Sequence, residues 1–305
     1  MKVQIPQFLV IQLPMSQTPT PRLILEALFP HLKVAAAYAR QIQPRIATRP
    51  AKEAKSIFGA ALSDADLSIQ TLVEVALLGT FPDIRFYGEE YEQSYNTKYF
   101  RAIDLGSQDD YLITLDPIDG TQFYLDGHAN YQIILGVLNR DEFEAVIAIT
   151  PALNTYCYAL RSEGCWQGTL DTALNACSPL QVDESSSTIL LNLDMEWLAP
   201  RLRDRYPVID VATCYSKETQ IPNVNGILSG ELAGAVIRVG KFIDGAALAF
   251  LAQEAGCIVT TLDGNPPPPL YTCENYERPG LILATSPTVH QHLLEAVQGA
   301  TAPTV

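Results

Sequence analysis

Leu115-Asp116-Pro117-Ile118-Asp119-Gly120-Thr121 decides the fold of this 305-residue chain, because a buried strand, a turn and a helix start meet in it. The apolar and β-branched residues 111–115 predict a buried strand. Pro117 fixes φ and lacks an N–H, so the strand is predicted to end there. Gly120 permits a close backbone approach, and Thr121 is predicted to begin a helix whose free N–H groups attract an anion.

Asp116 and Asp119 place two carboxylates beside this anion-binding backbone. A hard divalent cation between the carboxylates and a phosphate would satisfy both, since oxygen ligands suit Mg²⁺ and the substrate completes its coordination. Without the cation, the carboxylates would repel the phosphate. The simpler alternative is an aspartate-rich turn that closes a strand, which is common in proteins.

The composition is that of an ordinary globular protein with an excess of acid. At 48% hydrophobic residues, the chain is long enough to bury a large core and to form two subdomains. It has 34 acidic against 20 basic residues, a net charge of −14, and no Lys/Arg-rich run. These charges disfavour a nucleic acid polymer or an anionic membrane surface as partner. An acidic protein that handles phosphates needs a local cation, which again favours a metal.

The sequence also predicts a cytoplasmic location. No apolar run reaches the ~18 residues of a membrane span. Residues 1–14 have one basic residue and an apolar stretch broken by Pro6, so they make a poor signal peptide. The six cysteines are scattered without a Cys-x-x-Cys pair, which is typical of reduced thiols rather than of a disulfide framework or a zinc site.

Three further acidic positions lie at the ends of predicted elements. Asp66 is in the first turn of a helical pattern, where helix capping is the simpler explanation. Glu89 follows a short apolar strand, and because side chains alternate along a strand, one of Glu89 and Glu90 is predicted to face the site. Asp244 precedes an apolar helix rich in small residues, where an N-cap role is again the simpler alternative.

The pattern after the central stretch predicts the domain organisation. Three strand patterns separated by short turns form a predicted antiparallel meander, at residues 131–138, 144–151 and 155–160. Residues 169–186 are polar and turn-rich, and residues 183–187 are typical of a linker or loop. We therefore expect two subdomains, residues 1–182 with most of the acidic positions and residues 183–305 as an α/β half that completes the site.

Asp116-Pro117-Ile118-Asp119-Gly120-Thr121 resembles the signature of the inositol monophosphatase family of Mg²⁺-dependent, Li⁺-sensitive phosphatases. Haloacid-dehalogenase phosphatases instead place their aspartates two apart and near the N-terminus. The stretches around Asp66, Glu89 and Asp244 follow in the family's order, with Ile243 in place of the usual Trp. The resemblance spans about residues 20 to 297. It implies an α+β fold, a layered α-β-α-β-α sandwich of the sugar-phosphatase type, commonly dimeric.

The resemblance also implies a set of site residues. The carboxylates of Glu89 and Asp116 and the Ile118 carbonyl would hold one Mg²⁺, and those of Asp116, Asp119 and Asp244 a second, with two or three ions in the site. The Thr121 hydroxyl, oriented by Asp66, would position the attacking water.

The phosphate would bind to the N–H groups of Gly120 and Thr121. Lys55 matches a family lysine near the metals. Direct hydrolysis, with no phosphorylated residue, is the implied mechanism.

The substrate is where the sequence leaves alternatives open. In inositol-selective relatives, a glutamate shortly before the position of Asp244 contacts a sugar hydroxyl, but residues 233–241 contain no carboxylate here. They offer Arg238 and Lys241. Either cation would bind a second phosphate if it faced the pocket, and the alternative is that both are solvated surface charges.

The sequence thus predicts a Mg²⁺-dependent phosphomonoesterase that hydrolyses a small phosphorylated metabolite and forms a homodimer. The alternatives are a bisphosphate-specific enzyme, acting on 3′-phosphoadenosine 5′-phosphate or fructose 1,6-bisphosphate, and a catalytically silent regulator that binds a metabolite. The crowding of five carboxylates argues against the silent regulator.

Overall fold

The structure is a computed structural model that describes residues 18–46, 63–90, 105–106 and 110–299. Lys55, which the resemblance places near the metals, lies outside the described residues. Within them, two main β-sheets are covered and separated by helices. No helix in this part of the chain combines the length and the apolar character that crossing a membrane requires.

The helices of the described residues are numbered in chain order: α1 (Pro21–Ile42), α2 (Asp64–Thr80), α3 (Thr121–Leu125), α4 (Ala199–Leu202), α5 (Val211–Cys214), α6 (Gly245–Glu254) and α7 (Pro287–Gln298). Helix α1 begins where the Thr20 hydroxyl accepts the N–H of Leu23 at 3.3 Å. The helix runs through Pro30 to Ile42, so this proline does not end it.

The first sheet has its seven strands in sequence order: β1 (Arg85–Gly88), β2 (Leu112–Asp119), β3 (Gln132–Leu138), β4 (Phe143–Thr150), β5 (Thr155–Leu160), β6 (Gly164–Thr169) and β7 (Ser178–Leu180). Strand β1 is parallel to β2, and the later pairs are antiparallel. The predicted meander is therefore present, and it continues into β6 and β7. Strand β7 lies inside the polar, turn-rich stretch 169–186 and ends before the predicted linker at residues 183–187.

The second sheet contains β8 (Ile189–Leu191), β9 (Val208–Asp210), β10 (Gly234–Ile237), β12 (Ile258–Thr261) and β14 (Leu281–Ala284). Its strand order is β12-β14-β10-β8-β9. Strand β10 is parallel to β8 and antiparallel to β14, so it lies at the centre of the sheet. A separate two-stranded pair joins β11 (Gly240–Lys241) to β13 (Glu277–Arg278).

Three hydrophobic clusters define the layers. The first packs α1 and α2 on one face of the first sheet. The second buries α6 between the other face of that sheet and the second sheet. The third packs α4 and α7 on the outer face of the second sheet. The order is helices, sheet, helix, sheet and helices, so the predicted α-β-α-β-α sandwich is confirmed.

Strand β2 differs from the prediction at its carboxyl end. It continues through Pro117 to Asp119, so the prediction that Pro117 ends the strand is wrong. The pairing with β3 shifts register here, since Asp116 lies opposite Ile134 and Asp119 opposite Gln132. This irregularity accommodates a proline, which has no N–H to donate to the ladder. Gly120 follows with a left-handed φ of 84°, and the predicted helix α3 begins at Thr121 but is one turn long.

The packing of β10 gives a test of the fold. A Cβ added at Gly234 would lie 2.9 Å from the Leu283 carbonyl oxygen on β14 and 2.9 Å from the Leu293 side chain. We expect Gly234→Ala to lower the free energy of unfolding by about 1–3 kcal/mol, because the backbone carbonyl cannot yield without disturbing the sheet. Urea denaturation followed by circular dichroism measures this change.

Gly79→Ala is the matched control, because no atom lies within 4 Å of the added Cβ in helix α2. Alanine favours the helix by about 1 kcal/mol over glycine, so the stability should be unchanged or higher. Equal losses for the two variants would contradict the tight packing at Gly234.

Candidate active site

One cavity of about 310 Å³ lies where the end of β2, the end of β10 and the start of α6 meet. Four sequence-predicted metal ligands line it with their side chains: Glu89, Asp116, Asp119 and Asp244. Ile118, Gly120 and Thr121 line the same space, as do Arg238 and Lys241. The structure therefore brings together residues from both sheets that lie far apart in the sequence.

The irregular end of β2 positions its two aspartates. The Ile118 N–H donates to Oδ1 of Asp116 at 3.0 Å, so the turn holds this side chain by a local hydrogen bond. Asp116 is 4% exposed. Oδ2 of Asp119 accepts a hydrogen bond from Nδ2 of Asn223 at 2.9 Å. Asp116 is thus held by a hydrogen bond within β2, whereas Asp119 is held by Asn223 from the second half of the chain.

Asp66 contacts both the start of α2 and Thr121, which lines the cavity. Its Oδ2 accepts the Ser63 N–H at 2.8 Å and Ser63 accepts the Ala65 N–H, which is a capping box at the start of α2. Its Oδ1 lies 3.2 Å from the Thr121 hydroxyl. That hydroxyl also lies 2.9 Å from the Ile118 carbonyl oxygen. One carboxylate therefore begins a helix and orients the hydroxyl at the cavity wall.

Glu89 and Glu90 follow directly after β1. The Glu89 N–H donates to the Leu115 carbonyl at 3.0 Å, which extends the contact between β1 and β2. Glu89 lines the cavity, and Glu90 is 3% exposed with its backbone bonded to the side chain of Gln70. A carboxylate oxygen from each of Asp66, Glu89 and Glu90 lies within 4.8 Å of the other two. No role at the site was predicted for Glu90 from the sequence, in which its position beside Glu89 was the one feature that pointed to the site.

Burial and mutual repulsion raise the pKa values of the cavity aspartates. Burial contributes most, and the neighbouring carboxylates add to it. The pKa of Asp116 is raised well above its ordinary value, and that of Asp119 is raised to about 7 although the hydrogen bond from Asn223 opposes the shift. Burial raises the pKa of Asp244 to about 6, against the effect of Lys241. The carboxylates therefore lie close enough to disfavour one another's ionisation.

The two cations of the cavity have different surroundings. Burial alone would lower the pKa of Lys241, but the carboxylates of Asp244, Glu89 and Asp116 outweigh it and the pKa is raised. The Arg238 guanidinium lies 2.8 Å from Oδ2 of Asp194, at the exposed edge of the cavity. Lys241 is thus held by the acidic cluster, and Arg238 is in an ion pair.

Contacts between residues 122–130 and residues 215–221 hold the two halves of the cavity together. Tyr215 donates to Oδ2 of Asp126, which also accepts Nε2 of Gln122 at 2.7 Å. Three more hydrogen bonds join the segments: His128 Nε2 to the Lys217 carbonyl (2.9 Å), Ala129 N–H to Gln220 Oε1 (2.9 Å) and Asn130 Nδ2 to the Ile221 carbonyl (2.5 Å). Asn223, which donates to Asp119, comes shortly after Ile221 in the chain. The sequence analysis missed these residues, which belong to no motif.

The layered fold, with an acidic cavity at the ends of β2 and β10, matches the α-β-α-β-α sandwich expected for a protein of the sugar-phosphatase type. The model of the inositol monophosphatase family matches residues 26–302, and the chain belongs to that family. The resemblance inferred from the signature is therefore confirmed.

Relatives and solved structures agree with this assignment. A putative Nus factor SuhB of Neisseria meningitidis is 24% identical over 251 residues, which cover 79% of this chain and 85% of that protein. Inositol-1-monophosphatase ImpA of Mycolicibacterium smegmatis is 28% identical over 198 residues, 62% of this chain and 67% of ImpA.

The IMPase of Thermotoga maritima superposes with a TM-score of 0.69 at 18% identity, over 90% of this chain and 97% of the other. An IMPase/NADP phosphatase in complex with Mg²⁺ and phosphate superposes with a TM-score of 0.66 at 18% identity, over 92% and 97%. These similarities show a shared fold.

The raised pKa of Asp119 leads to a prediction for the metal-free protein. An acid whose pKa is higher in the folded than in the unfolded state binds its proton more tightly when folded, so the folded state loses stability as the pH rises from about 4 to about 7. We expect Asp119→Asn in EDTA to be more stable than the wild type at pH 8, by on the order of 3 kcal/mol, and to lose this advantage near pH 4. Urea unfolding at several pH values measures the difference.

Asp263→Asn is the control, because Asp263 is an exposed aspartate outside the cavity. Its stability should follow that of the wild type at every pH. An advantage of Asp119→Asn that did not depend on pH would contradict the role of the buried charge.

Proposed function

We propose that this member of the inositol monophosphatase family is a Mg²⁺-dependent phosphomonoesterase that hydrolyses a small phosphorylated metabolite. The convergence of Glu89, Asp116, Asp119 and Asp244 on one cavity is the observation that carries the proposal. Burial and the neighbouring carboxylates raise the pKa values of Asp116, Asp119 and Asp244, so a cation in the cavity would relieve repulsion that the protein alone leaves in place.

The donor set fits a hard cation. The side-chain donors are carboxylate oxygens, and the Ile118 carbonyl at the cavity wall adds a neutral oxygen. We propose that Glu89, Asp116 and the Ile118 carbonyl hold one Mg²⁺ and that Asp116, Asp119 and Asp244 hold a second, with two or three ions in all. The chemistry that bound Mg²⁺ supplies is polarisation of the phosphoryl group, a more acidic water and charge neutralisation at the leaving oxygen.

Thr121 and Asp66 have the arrangement of a proton relay. The Thr121 hydroxyl lies between the cavity and Oδ1 of Asp66, whose other oxygen is held by Ser63. We propose that Thr121 orients the attacking water and passes its proton toward Asp66. Because Ser63 holds Oδ2, Asp66 presents Oδ1 to the Thr121 hydroxyl in one position, which would help to place a nucleophile.

The phosphate is proposed to bind at the backbone N–H groups of Gly120 and Thr121. Helix α3 is a single turn, so it offers local N–H groups and little cumulative dipole. The left-handed φ of Gly120 turns the chain from β2 into these groups. Direct displacement by water requires no phosphorylated side chain.

The structure lends less support to a bisphosphate substrate. Arg238 and Lys241 line the cavity, as a second phosphate site would need. However, Arg238 is paired with Asp194, and Lys241 lies against the acidic cluster. We therefore propose both as contacts at the cavity edge for a monophosphate ester. Lys55 stays a proposed contact.

We propose that residues 1–182 and 183–305 act as two subdomains of a cytoplasmic homodimer. The first would supply Glu89, Asp116 and Asp119, and the second would complete the cavity with Asp244 and Asn223. Sedimentation equilibrium at micromolar concentration measures the assembly state, and a single monomeric species would reject the dimer.

Phosphate release tests the reaction. We expect Mg²⁺-dependent release from at least one member of a panel of inositol 1-phosphate, fructose 1,6-bisphosphate, 3′-phosphoadenosine 5′-phosphate and histidinol phosphate, with loss in EDTA and inhibition by Li⁺. Asp116→Asn should lose activity by a factor of at least about 10³, because the carboxylate shared by both proposed Mg²⁺ sites would hold the cations that neutralise charge in the transition state.

Asp263→Asn is again the matched control and should keep full activity. Undiminished turnover of Asp116→Asn would refute the assignment of this carboxylate. Folded wild-type protein that binds Mg²⁺ but releases no phosphate from the panel would favour the regulator.

A further inference from the structure

The two proposed Mg²⁺ ions take their ligands from different parts of the chain. Glu89, Asp116 and the Ile118 carbonyl, which are proposed for the first ion, lie at the ends of the neighbouring strands β1 and β2. The Glu89 N–H donates to the Leu115 carbonyl at 3.0 Å, and the Ile118 N–H donates to Oδ1 of Asp116 at 3.0 Å. Hydrogen bonds within the first half of the chain therefore hold this set of ligands.

The ligands proposed for the second ion come from both halves of the chain. Asp116 and Asp119 lie on β2, whereas Asp244 is the N-cap of α6. Asp119 is also held from the second half, because Nδ2 of Asn223 donates to its Oδ2 at 2.9 Å. Within the described residues Asp119 has no other hydrogen-bond partner, so its Oδ1 is available to a cation. A cation bound by Asp119 and Asp244 thus depends on a hydrogen bond between the two halves.

The side-chain amide of Asn223 is held in one orientation. Its Oδ1 accepts the Val224 N–H at 2.7 Å, since Asn223 is the N-cap of the turn Val224–Ile227. With the oxygen used in this way, Nδ2 is the atom that donates to the carboxylate, which can only accept when ionised. Rotation of the amide by half a turn would lose both hydrogen bonds. Asn223 therefore presents a donor, and not an acceptor, to Asp119.

The backbone of Asn223 is anchored on both sides. Before it, the Ile221 carbonyl accepts a hydrogen bond from Nδ2 of Asn130 at 2.5 Å. After it, the Gly226 N–H donates to the Asn223 carbonyl at 2.8 Å, and Ile227 is 1% exposed in the second hydrophobic cluster. The position of the Asn223 side chain is thus set by contacts on both sides of the cavity.

We propose that Asn223 is a positioning residue for the second Mg²⁺ ion and has no part in binding the first. By holding Oδ2 of Asp119, it keeps Oδ1 where the same cation can also bind Asp244. This inference rests on the proposed Mg²⁺ sites and divides them: one ion needs the first half of the chain, and the other needs both halves. A hydrogen bond that fixes a metal ligand in advance typically raises metal affinity by about 10–100-fold.

Asn223→Ser removes the donor and keeps the helix-capping oxygen. Serine is an N-cap residue comparable to asparagine, but its hydroxyl ends one atom short of the position of Nδ2. Mn²⁺ is the probe, since it takes the same oxygen ligands as Mg²⁺, and the EPR signal of the free ion measures binding without substrate. We expect the affinity for one bound ion to fall by about tenfold or more, while that for the rest stays within about twofold.

Asn225→Ser is the matched control, because Asn225 lies in the same turn and does not line the acidic cavity. It should bind Mn²⁺ as the wild type does. Circular dichroism in EDTA checks that both variants are folded. If Asn223→Ser does not fold, Asn223→Thr, which also supplies a capping hydroxyl, replaces it.

Asp119→Asn separates positioning from a general structural effect. This variant should lose the same ion, and adding Asn223→Ser to it should leave the binding of the remaining Mn²⁺ unchanged. Equal weakening of all bound ions by Asn223→Ser, weakening of none, or a further loss in the double variant would overturn the inference. Wild-type protein that binds no Mn²⁺ would instead refute the proposed metal sites themselves.

Discussion

Repulsion among carboxylates at the end of β2 is the constraint on which the rest of the site depends. Asp116 is 4% exposed, and its pKa is raised first by burial and then by Glu89, Asp119 and Asp244. A chain free to relax would move these side chains apart into water. The fold prevents this because β2 lies inside the first sheet, paired with β1 on one side and β3 on the other. The stability of the layers therefore maintains an arrangement that is locally unfavourable.

The central helix α6 determines where the last carboxylate lies. Its buried residues are small or aliphatic apart from Phe250, and they pack between both sheets. Asp244 is the N-cap of this helix, so the same packing that sets the spacing of the sheets sets the position of Asp244. Asn223 and the hydrogen bonds between residues 122–130 and 215–221 fix the remaining freedom across the cavity. The site is thus a property of the interface between two layers, and neither sheet contains it alone.

The sequence predicted what depends on local pattern. Apolar periodicity located the meander and the long helices, and the signature located the acidic residues on either side of Pro117. It failed where two local rules competed. Pro117 was expected to end β2, but a register shift in the pairing with β3 accommodates it. Helix capping and a position at the site were treated as alternatives for Asp66, but a carboxylate has two oxygens: Oδ2 caps α2 and Oδ1 contacts the cavity residue Thr121.

Contacts between distant segments could not be predicted in this way. Tyr215 bonds to Asp126, and Asn223 to Asp119, across about a hundred residues of sequence, without any spacing that a motif would reveal. The same holds for the aliphatic residues that line the cavity, Leu193, Val211, Val224, Ile237 and Val239, which come from separate segments of the second half of the chain. The acidic residues belong to short motifs, so the sequence alone could indicate the family. The shape and polarity of the rest of the cavity depend on packing between distant segments, so they appear only in the structure.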